Sequence, residues 1–136
     1  MKPFGIELLL DCYECDGVTV DDITVVYDFL QHSVETLGVS QQAPPFVFHS
    51  PSSYVKNGKV VDCSDKAGIS AWVPLLESGI QIHTLTDKNF ISIDFYTCGR
   101  MDKIMIEDMI KLTKLTFSPK RIVQKVLPRG EKYYKK

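Results

Sequence analysis

Apolar side chains recur at every second position along three segments, a pattern typical of strands with one buried face. The segments are residues 5–13, 90–96 and 121–127. In the first two, the recurring residues are isoleucine, leucine and phenylalanine, so one face of each would be strongly apolar. The alternation predicts a strand near each end of the chain and a third between them.

Two further segments repeat apolar residues at steps of three and four, which predicts amphipathic helices. The first helix covers residues 22–37, with Asp21-Asp22 available as its cap and Gly38 as its stop. The second runs over residues 103–116 behind the capping residue Asp102.

The middle of the chain carries the weakest pattern. Residues 40–68 are rich in Pro, Ser, Gly and Asn, and we expect a short strand at Phe46-Val47-Phe48 followed by a long loop. Loops of that length are often functional or mobile. Residues 69–77 and 80–83 are extended again, with Gly79 as the expected bend or bulge between them.

The order of these elements favours an α+β domain, because the strands follow each other too closely for parallel crossovers. We expect one domain over residues 1–136. Its architecture would be a two-layer α/β sandwich, in which an antiparallel sheet of about four strands has two helices on one face. Trp72, Pro74 and Leu76 would share a sheet face with Ser70, and either a partner or a helix would cover it.

Composition adds little to this picture. The 136 residues are 44% hydrophobic and 24% charged, values typical of a globular domain rather than a disordered or membrane protein. A net charge of −1 gives no attraction for nucleic acid or an anionic membrane. Glu7 interrupts the first apolar stretch, which argues against a signal peptide, so we expect this stretch to be a strand of a cytoplasmic protein. We interpret the basic residues 131–136 as a solvated tail.

Four cysteines stand at positions 12, 15, 63 and 98, and the first two form a C-x-x-C. A redox or zinc site would need a helix start behind that motif or a second pair of ligands, and the sequence offers neither. Side chains three apart on a strand also point to opposite faces, which opposes joint ligation unless the strand ends between them. We therefore expect no metal.

One set of spacings is specific. It comprises Gly68-Ile69-Ser70, the run from Leu76 to Thr84, and Phe95-Tyr96-Thr97-Cys98-Gly99. The set resembles the small prokaryotic S-adenosylmethionine decarboxylases, whose G-V-S, E-S, I-H-T and F-T-C-G motifs are spaced in the same way. Tyr13 to Asp16 and Arg129-Gly130 also match that family's start and end, so the resemblance covers nearly the whole chain.

The resemblance implies a pyruvoyl cofactor made from the chain itself. The Ser78 hydroxyl would attack the Glu77 carbonyl and convert the peptide bond to an ester. Elimination and hydrolysis would then leave a pyruvoyl group at the start of residues 78–136, with residues 1–77 as the second chain. That carbonyl would form a Schiff base with the substrate amine and act as the electron sink for decarboxylation, so neither pyridoxal phosphate nor a metal is implied.

The resemblance also implies the roles of other residues. His83 would transfer protons during processing, Ser70 would hydrogen-bond the rearranging centre, and Cys98 would return a proton to the substrate carbon. Each also has an ordinary explanation, since Ser78 alone is typical of a turn, His83 of a partly buried histidine and Cys98 of a small core residue. The joint spacing favours the catalytic interpretation.

The chain departs from the family pattern where substrate would bind. Gly79 replaces the usual histidine, Leu85-Thr86-Asp87 replaces W-P-E, and residues 49–68 are longer than is usual. Asp87 retains a carboxylate, and Phe48 or Tyr54 is the candidate to stack on adenine.

Three functions stay open from these residues. The first is decarboxylation of S-adenosylmethionine in polyamine biosynthesis, and the second is decarboxylation of arginine or ornithine, with Asp87 or Glu77 facing the basic side chain. The third is a non-catalytic paralogue that acts as a binding or regulatory subunit. By resemblance we expect a homodimer with its sites near the subunit junction.

Overall fold

A computed structural model describes residues 2–133. Its two α-helices are α1 (Ile23–Leu37) and α2 (Lys103–Phe117). Its eight strands are β1 (Gly5–Tyr13), β2 (Phe46–Ser50), β3 (Ser53–Lys56), β4 (Lys59–Asp62), β5 (Gly68–Leu75), β6 (Ser78–Leu85), β7 (Phe90–Thr97) and β8 (Arg121–Arg129).

Six of the strands form one antiparallel sheet in the order β2-β5-β6-β7-β1-β8. The α+β class and the two-layer arrangement are confirmed, but the sheet is wider than the four or so strands expected. The extra width lies at the edges, where β2 pairs with β5 and β8 pairs with β1. Both edge segments were expected as strands, so the number of strands in the sheet was underestimated although the elements themselves were predicted.

Both helices lie on one face of the sheet. On that face the alternating residues of β1, β6 and β7 are fully buried: Leu8, Leu10, Ile80, Ile82, Ile91, Ile93 and Phe95. The other face, here called the open face, carries the intervening side chains: Glu7, Phe46, Phe48, Ser70, Trp72, Gln81, His83, Asp94 and Tyr96. Helix packing is therefore not what covers Ser70 and Trp72.

The helix ends match their expected caps. The Asp22 carboxylate accepts hydrogen bonds from the backbone amides of Thr24 and Val25, and Gly38 adopts the left-handed φ of 65° that ends α1. Asp102 accepts from the Met105 amide at the start of α2. Local sequence thus determines where both helices begin.

The expected long loop after β2 is wrong in part, because residues 53–62 form the β3–β4 hairpin. Its two-residue turn is Asn57-Gly58, both with positive φ (52° and 73°). Asn-Gly is the pair that a tight hairpin turn favours, and the flanking valines suit strands. The overlooked signal was therefore the dipeptide itself.

Gly79 is not the bend between β5 and β6. It lies within β6, paired with Pro74 and Tyr96. The chain reverses at Leu76-Glu77, between the end of β5 and the start of β6, and Glu77 takes the positive φ of 57° there. A Cβ on Gly79 would meet Trp72 Nε1 at 3.3 Å, so the glycine makes room for the indole.

The C-x-x-C thiols both lie in the core, since β1 ends at Tyr13 and the chain turns inward. Cys12 is fully buried and Cys15 is 6% exposed. The strand thus ends between the two cysteines, which is the case in which the pair need not point to opposite faces. Burial raises the pKa of Cys12 to about 12 and that of Cys15 to about 11, which keeps both thiols protonated.

Residues 131–133 of the expected tail form a turn, and residues 134–136 lie outside the described residues. Over residues 2–133, no helix is both long and apolar enough to cross a membrane.

Candidate active site

Ser78 is the first residue of β6 and lies directly opposite Thr97, the last residue of β7. Its hydroxyl donates a 2.9 Å hydrogen bond to Thr97 Oγ1. The same threonine oxygen accepts the Gly99 amide at 2.9 Å, and Thr97 is only 1% exposed. The Ser78 side chain is thereby held in one orientation at the end of the sheet.

The Glu77 carbonyl oxygen, which belongs to the peptide bond before Ser78, faces two donors from Cys98. The Cys98 amide approaches it at 3.4 Å and the thiol at 2.8 Å. Two donors on one carbonyl oxygen stabilise the negative charge that develops when a nucleophile attacks the carbon. The left-handed φ of Glu77 adds backbone strain beside the same bond.

The Cys98 thiol is suited to give a proton rather than to attack. Its pKa is raised, first by desolvation and then by its contact with the Glu77 carboxylate, to which Sγ donates at 3.3 Å. A raised pKa leaves the thiol protonated at neutral pH. The group of Glu77, Ser78, Thr97 and Cys98 is called the cleavage cluster below.

A second group forms on the open face, where Ser70 and His83 lie opposite each other on β5 and β6. Ser70 Oγ is 3.1 Å from His83 Nδ1 and 2.9 Å from Ser50 Oγ. Gln81 Nε2 lies 2.7 Å from His83 Nε2. These distances place both ring nitrogens of His83 within hydrogen-bond reach of a polar side chain. We call Ser50, Ser70, Gln81 and His83 the dyad cluster.

The two clusters are separate in a single chain. Ser78 and His83 are five positions apart along β6, which at a rise of ~3.3 Å per residue places their Cα atoms roughly 16 Å apart. The odd spacing also puts their side chains on opposite faces of β6. The structure thus joins Ser78 with Cys98 and Ser70 with His83, but it does not join the two pairs.

A cavity of about 300 Å³ lies beside Ser78, with Glu7, Trp72, Ser78, Gly79, Gln81, Asp94 and Tyr96 around it. Burial raises the pKa of Asp94, and the charge of Glu7 adds to the effect while His83 opposes it. Glu7 is itself paired with Arg129. We call this the Ser78 cavity.

Cys98 lines a different cavity, of about 510 Å³, together with Phe4, Arg100 and Asp102. The two cavities adjoin the cleavage cluster from different sides. Of the two, the Ser78 cavity is the one that contains the residue from which the cofactor would be made.

The expected substrate-binding residues lie in three different places. Phe48 is 59% exposed on the open face and lines a cavity of about 290 Å³ with Trp72 and His83. Tyr54 is on the β3–β4 hairpin, outside the six-stranded sheet. Asp87 is exposed in the short 3-10 turn after β6, at the end of that strand remote from Ser78.

Several residues of these sites were not found by sequence reasoning. Thr97, Ser50 and Gln81 each contact an expected residue across or along the sheet. Their signal was strand register, because Thr97 is opposite Ser78 only when β6 and β7 pair as they do here. Asp94 and Tyr96 lie on the polar face of β7, where alternation alone gives them no role.

Within the described part of the chain, no group of three or more His, Cys, Asp or Glu side chains is placed to hold a metal ion.

Comparison with known proteins gives a consistent family. The model of a family described as S-adenosylmethionine decarboxylase matches residues 6–130. A protein of Persephonella marina named S-adenosylmethionine decarboxylase proenzyme is 30% identical over 95% of this chain and 84% of its own length. A protein of the same name from Acidithiobacillus ferrooxidans is 26% identical over 96% of this chain and 86% of its own.

Among solved structures, the adenosylmethionine decarboxylase of Aquifex aeolicus superposes with a TM-score of 0.73 at 22% identity. The match covers 96% of this chain and 93% of the other, so the two proteins share their fold over nearly their whole length.

Proposed function

This chain belongs to the S-adenosylmethionine decarboxylase family, and from that membership we propose that it is a self-processing, pyruvoyl-dependent decarboxylase of polyamine biosynthesis. Processing separates residues 1–77 from residues 78–136. The observation that carries the proposal is the Glu77 carbonyl, which accepts both Cys98 donors beside the Ser78 hydroxyl. A cytoplasmic location stays a prediction.

The chain's own groups supply the steps of cleavage. Ser78 Oγ adds to the Glu77 carbonyl carbon while the Cys98 amide and thiol hold the oxygen. The hydroxyl proton passes to the Ser78 nitrogen as the adduct collapses, which breaks the C–N bond and leaves a free amine and an ester between Glu77 and Ser78. Loss of the Ser78 α-proton then expels the Glu77 carboxylate, which ends the first chain. Water releases ammonia from the resulting terminus and leaves a ketone, so atoms and charge balance.

Position 78 fits a pyruvoyl group, because Ser78 is among the residues around the Ser78 cavity and its hydroxyl is held by Thr97. When present, the group supplies an electron sink for the bonding pair released with carbon dioxide. Cys98 is the proton donor to the product carbon, a role that its raised thiol pKa supports.

We propose S-adenosylmethionine as the substrate. It is a cationic amino acid with a flat base, and the Ser78 cavity offers Trp72 and Tyr96 as flat surfaces and Asp94 as a carboxylate. The two carboxylates of this cavity equally favour arginine or ornithine as the second candidate.

The separation of the two clusters supports a homodimer in which each chain completes the other's site. Ser70 and His83 are too far from Ser78 of their own chain to exchange a proton with it, but they lie on the open face with three exposed aromatic rings. Phe46, Phe48 and Trp72 are 50%, 59% and 47% exposed. Packing two open faces would bury these rings and bring one chain's dyad cluster to the other's cleavage cluster.

Mass spectrometry of the purified chain tests the processing. We expect two products that end and begin at Glu77 and position 78, with the mass of a pyruvoyl group on the second. Ser78→Ala should remain one chain, and the matched variant Ser52→Ala at an exposed serine should be cleaved. An intact wild-type chain after prolonged incubation would instead indicate a non-catalytic paralogue. Release of carbon dioxide from labelled S-adenosylmethionine, arginine and ornithine identifies the substrate.

A further inference from the structure

The β3–β4 hairpin is the most exposed part of the fold. Every residue from Pro51 to Val60 is exposed, and the side chains of Val55 and Val60 are 71% and 76% exposed. These two valines are paired across the hairpin. A two-stranded hairpin alone is at best marginally stable in water, so a regular hairpin with apolar side chains calls for a surface that covers it.

The hairpin begins next to the dyad cluster. Ser50 ends β2 and hydrogen-bonds Ser70, and β3 starts at Ser53. At the other end, the Cys63 amide and thiol bond back to the backbone oxygens of Ser52 and Pro51. The hairpin is therefore attached to the strand edge that carries the dyad, and any partner that receives the dyad receives the hairpin beside it.

We propose that the β3–β4 hairpin is an arm that lies over the Ser78 cavity of a second copy of this chain. The proposal rests on the proposed function, in which the dyad cluster of one chain acts on the cleavage cluster of the other. In a two-fold dimer, the arrangement occurs twice.

Charge complementarity supports the same partner surface. The tip of the hairpin has Lys56 and Lys59 on either side of Asn57-Gly58, and both lysines are exposed. The Ser78 cavity carries Glu7 and Asp94. Glu7 is already paired with Arg129, so a cationic tip placed over the cavity would act chiefly on Asp94 and would favour this docking over one with like charges.

The arm has a specific function in this dimer. It closes the Ser78 cavity on the open face and excludes water from it. Self-cleavage takes place at the sheet end and requires the partner's dyad cluster but not the arm. Loss of the arm should therefore raise KM for the substrate and leave the rate of self-cleavage unchanged. A dyad that failed to act between chains would instead stop self-cleavage.

Mixed dimers test the direction of the contact. A Ser78→Ala chain supplies the intact dyad and its arm, and a His83→Ala chain supplies the intact Ser78. Only the latter should be cleaved, and only in the mixture. Lys56→Glu with Lys59→Glu replaces one like-charged pair by another and so disturbs the hairpin little.

We expect this double change to raise KM by about tenfold or more when it is in the Ser78→Ala chain, since like charges would then face each other. The same change in the His83→Ala chain should have no effect. Lys103→Glu with Lys111→Glu, two exposed lysines on the helix side, is the matched control in both chains. If the mixture is cleaved but KM is independent of which chain carries the change, the proposal that the arm lies over the partner's Ser78 cavity is wrong. If the mixture is not cleaved, the exchange of dyads is wrong, and the arm with it.

A second measurement does not depend on catalysis. Val55→Thr with Val60→Thr keeps β-branched side chains in the hairpin and removes its apolar surface. We expect the dimer dissociation constant, measured by sedimentation, to rise by roughly a hundredfold, because each of the two arms loses two buried methyl groups. An unchanged constant would overturn the proposal.

Discussion

The cleavage cluster and the dyad cluster are built in different ways. Glu77, Ser78, Thr97 and Cys98 are connected by hydrogen bonds between the adjacent ends of two strands, with one of them fully buried and another in a strained conformation. Ser70 and His83 lie flat on an exposed sheet face and bond mainly to each other and to neighbouring polar side chains. In the proposed mechanism, the bond to be cleaved is thus prepared within one chain, whereas the proposed proton-transfer groups face a second chain. A reaction that needs both depends on association.

The largest expected effect concerns the dyad. His83→Ala removes the proton-transfer group, so self-cleavage should slow by roughly a hundredfold or more. His32→Ala changes an exposed histidine on α1 and should cleave normally. Appearance of the residue 78–136 fragment over time, followed by denaturing electrophoresis, measures both. If His83→Ala is cleaved at the normal rate, the dyad cluster has no role in processing, and the contrast with the cleavage cluster disappears.

Cys98→Ala should separate the two reactions. Decarboxylation loses its proton donor and should fall by about a hundredfold. Self-cleavage should slow less, because the Cys98 amide still donates to the Glu77 carbonyl. The control is Cys63→Ala, which also removes a thiol-to-carbonyl hydrogen bond, of 3.1 Å to Pro51. Equal losses in kcat and in the cleavage rate would show that the thiol has one role, in processing.

Thr97→Val tests how far the orientation of Ser78 matters. The change keeps the side-chain shape but leaves the Ser78 hydroxyl and the Gly99 amide without their acceptor, at a cost of ~1–2 kcal/mol or about tenfold in cleavage rate. Thr113→Val is a matched control, because this buried threonine donates a hydrogen bond to the Met109 carbonyl of its own helix. A comparable rate loss in both variants would indicate general destabilisation.

The smallest effect is on the open face. Burial raises the pKa of Asp94, so the folded state binds its proton more tightly than the unfolded state does. The contribution of the Asp94 proton to the free energy of unfolding is therefore fully present below the ordinary carboxyl pKa and is lost as pH rises through the raised pKa. Asp94→Asn should remove this decline and raise Tm slightly at neutral pH only, as thermal unfolding across the acid range can measure. A difference in Tm that is the same at every pH would assign the effect to something other than ionisation.

Much of the fold was predictable, and the reasons lie in period and capping. Leu8, Leu10, Ile93 and Phe95 bury the face that alternation indicated. The helices begin at the expected aspartates because those side chains bond the first free amides. Strand alternation and helix capping both depend on residues that are close in the chain, so a single sequence is enough to predict them.

What was missed depends on contacts between distant segments. The role of Thr97 requires the β6–β7 register, and the separation of Ser78 from His83 requires the knowledge that β6 is regular between them. The bend was placed at Gly79 because glycine is the usual residue there, yet the strain falls on Glu77. Motif spacing identified the residues but not which of them are neighbours.

The strand order has a consequence for the processed protein. Of the six strands, β2, β5 and β1 precede the cut and β6, β7 and β8 follow it, so β1 is held between two strands of the other piece. A nick after Glu77 therefore leaves the fragments interleaved, and they can part only if the β5–β6, β7–β1 and β1–β8 ladders all open. Cleavage in this arrangement leaves the sheet intact. Once the two fragments have been separated, however, re-forming the sheet requires two molecules to associate and therefore depends on their concentration.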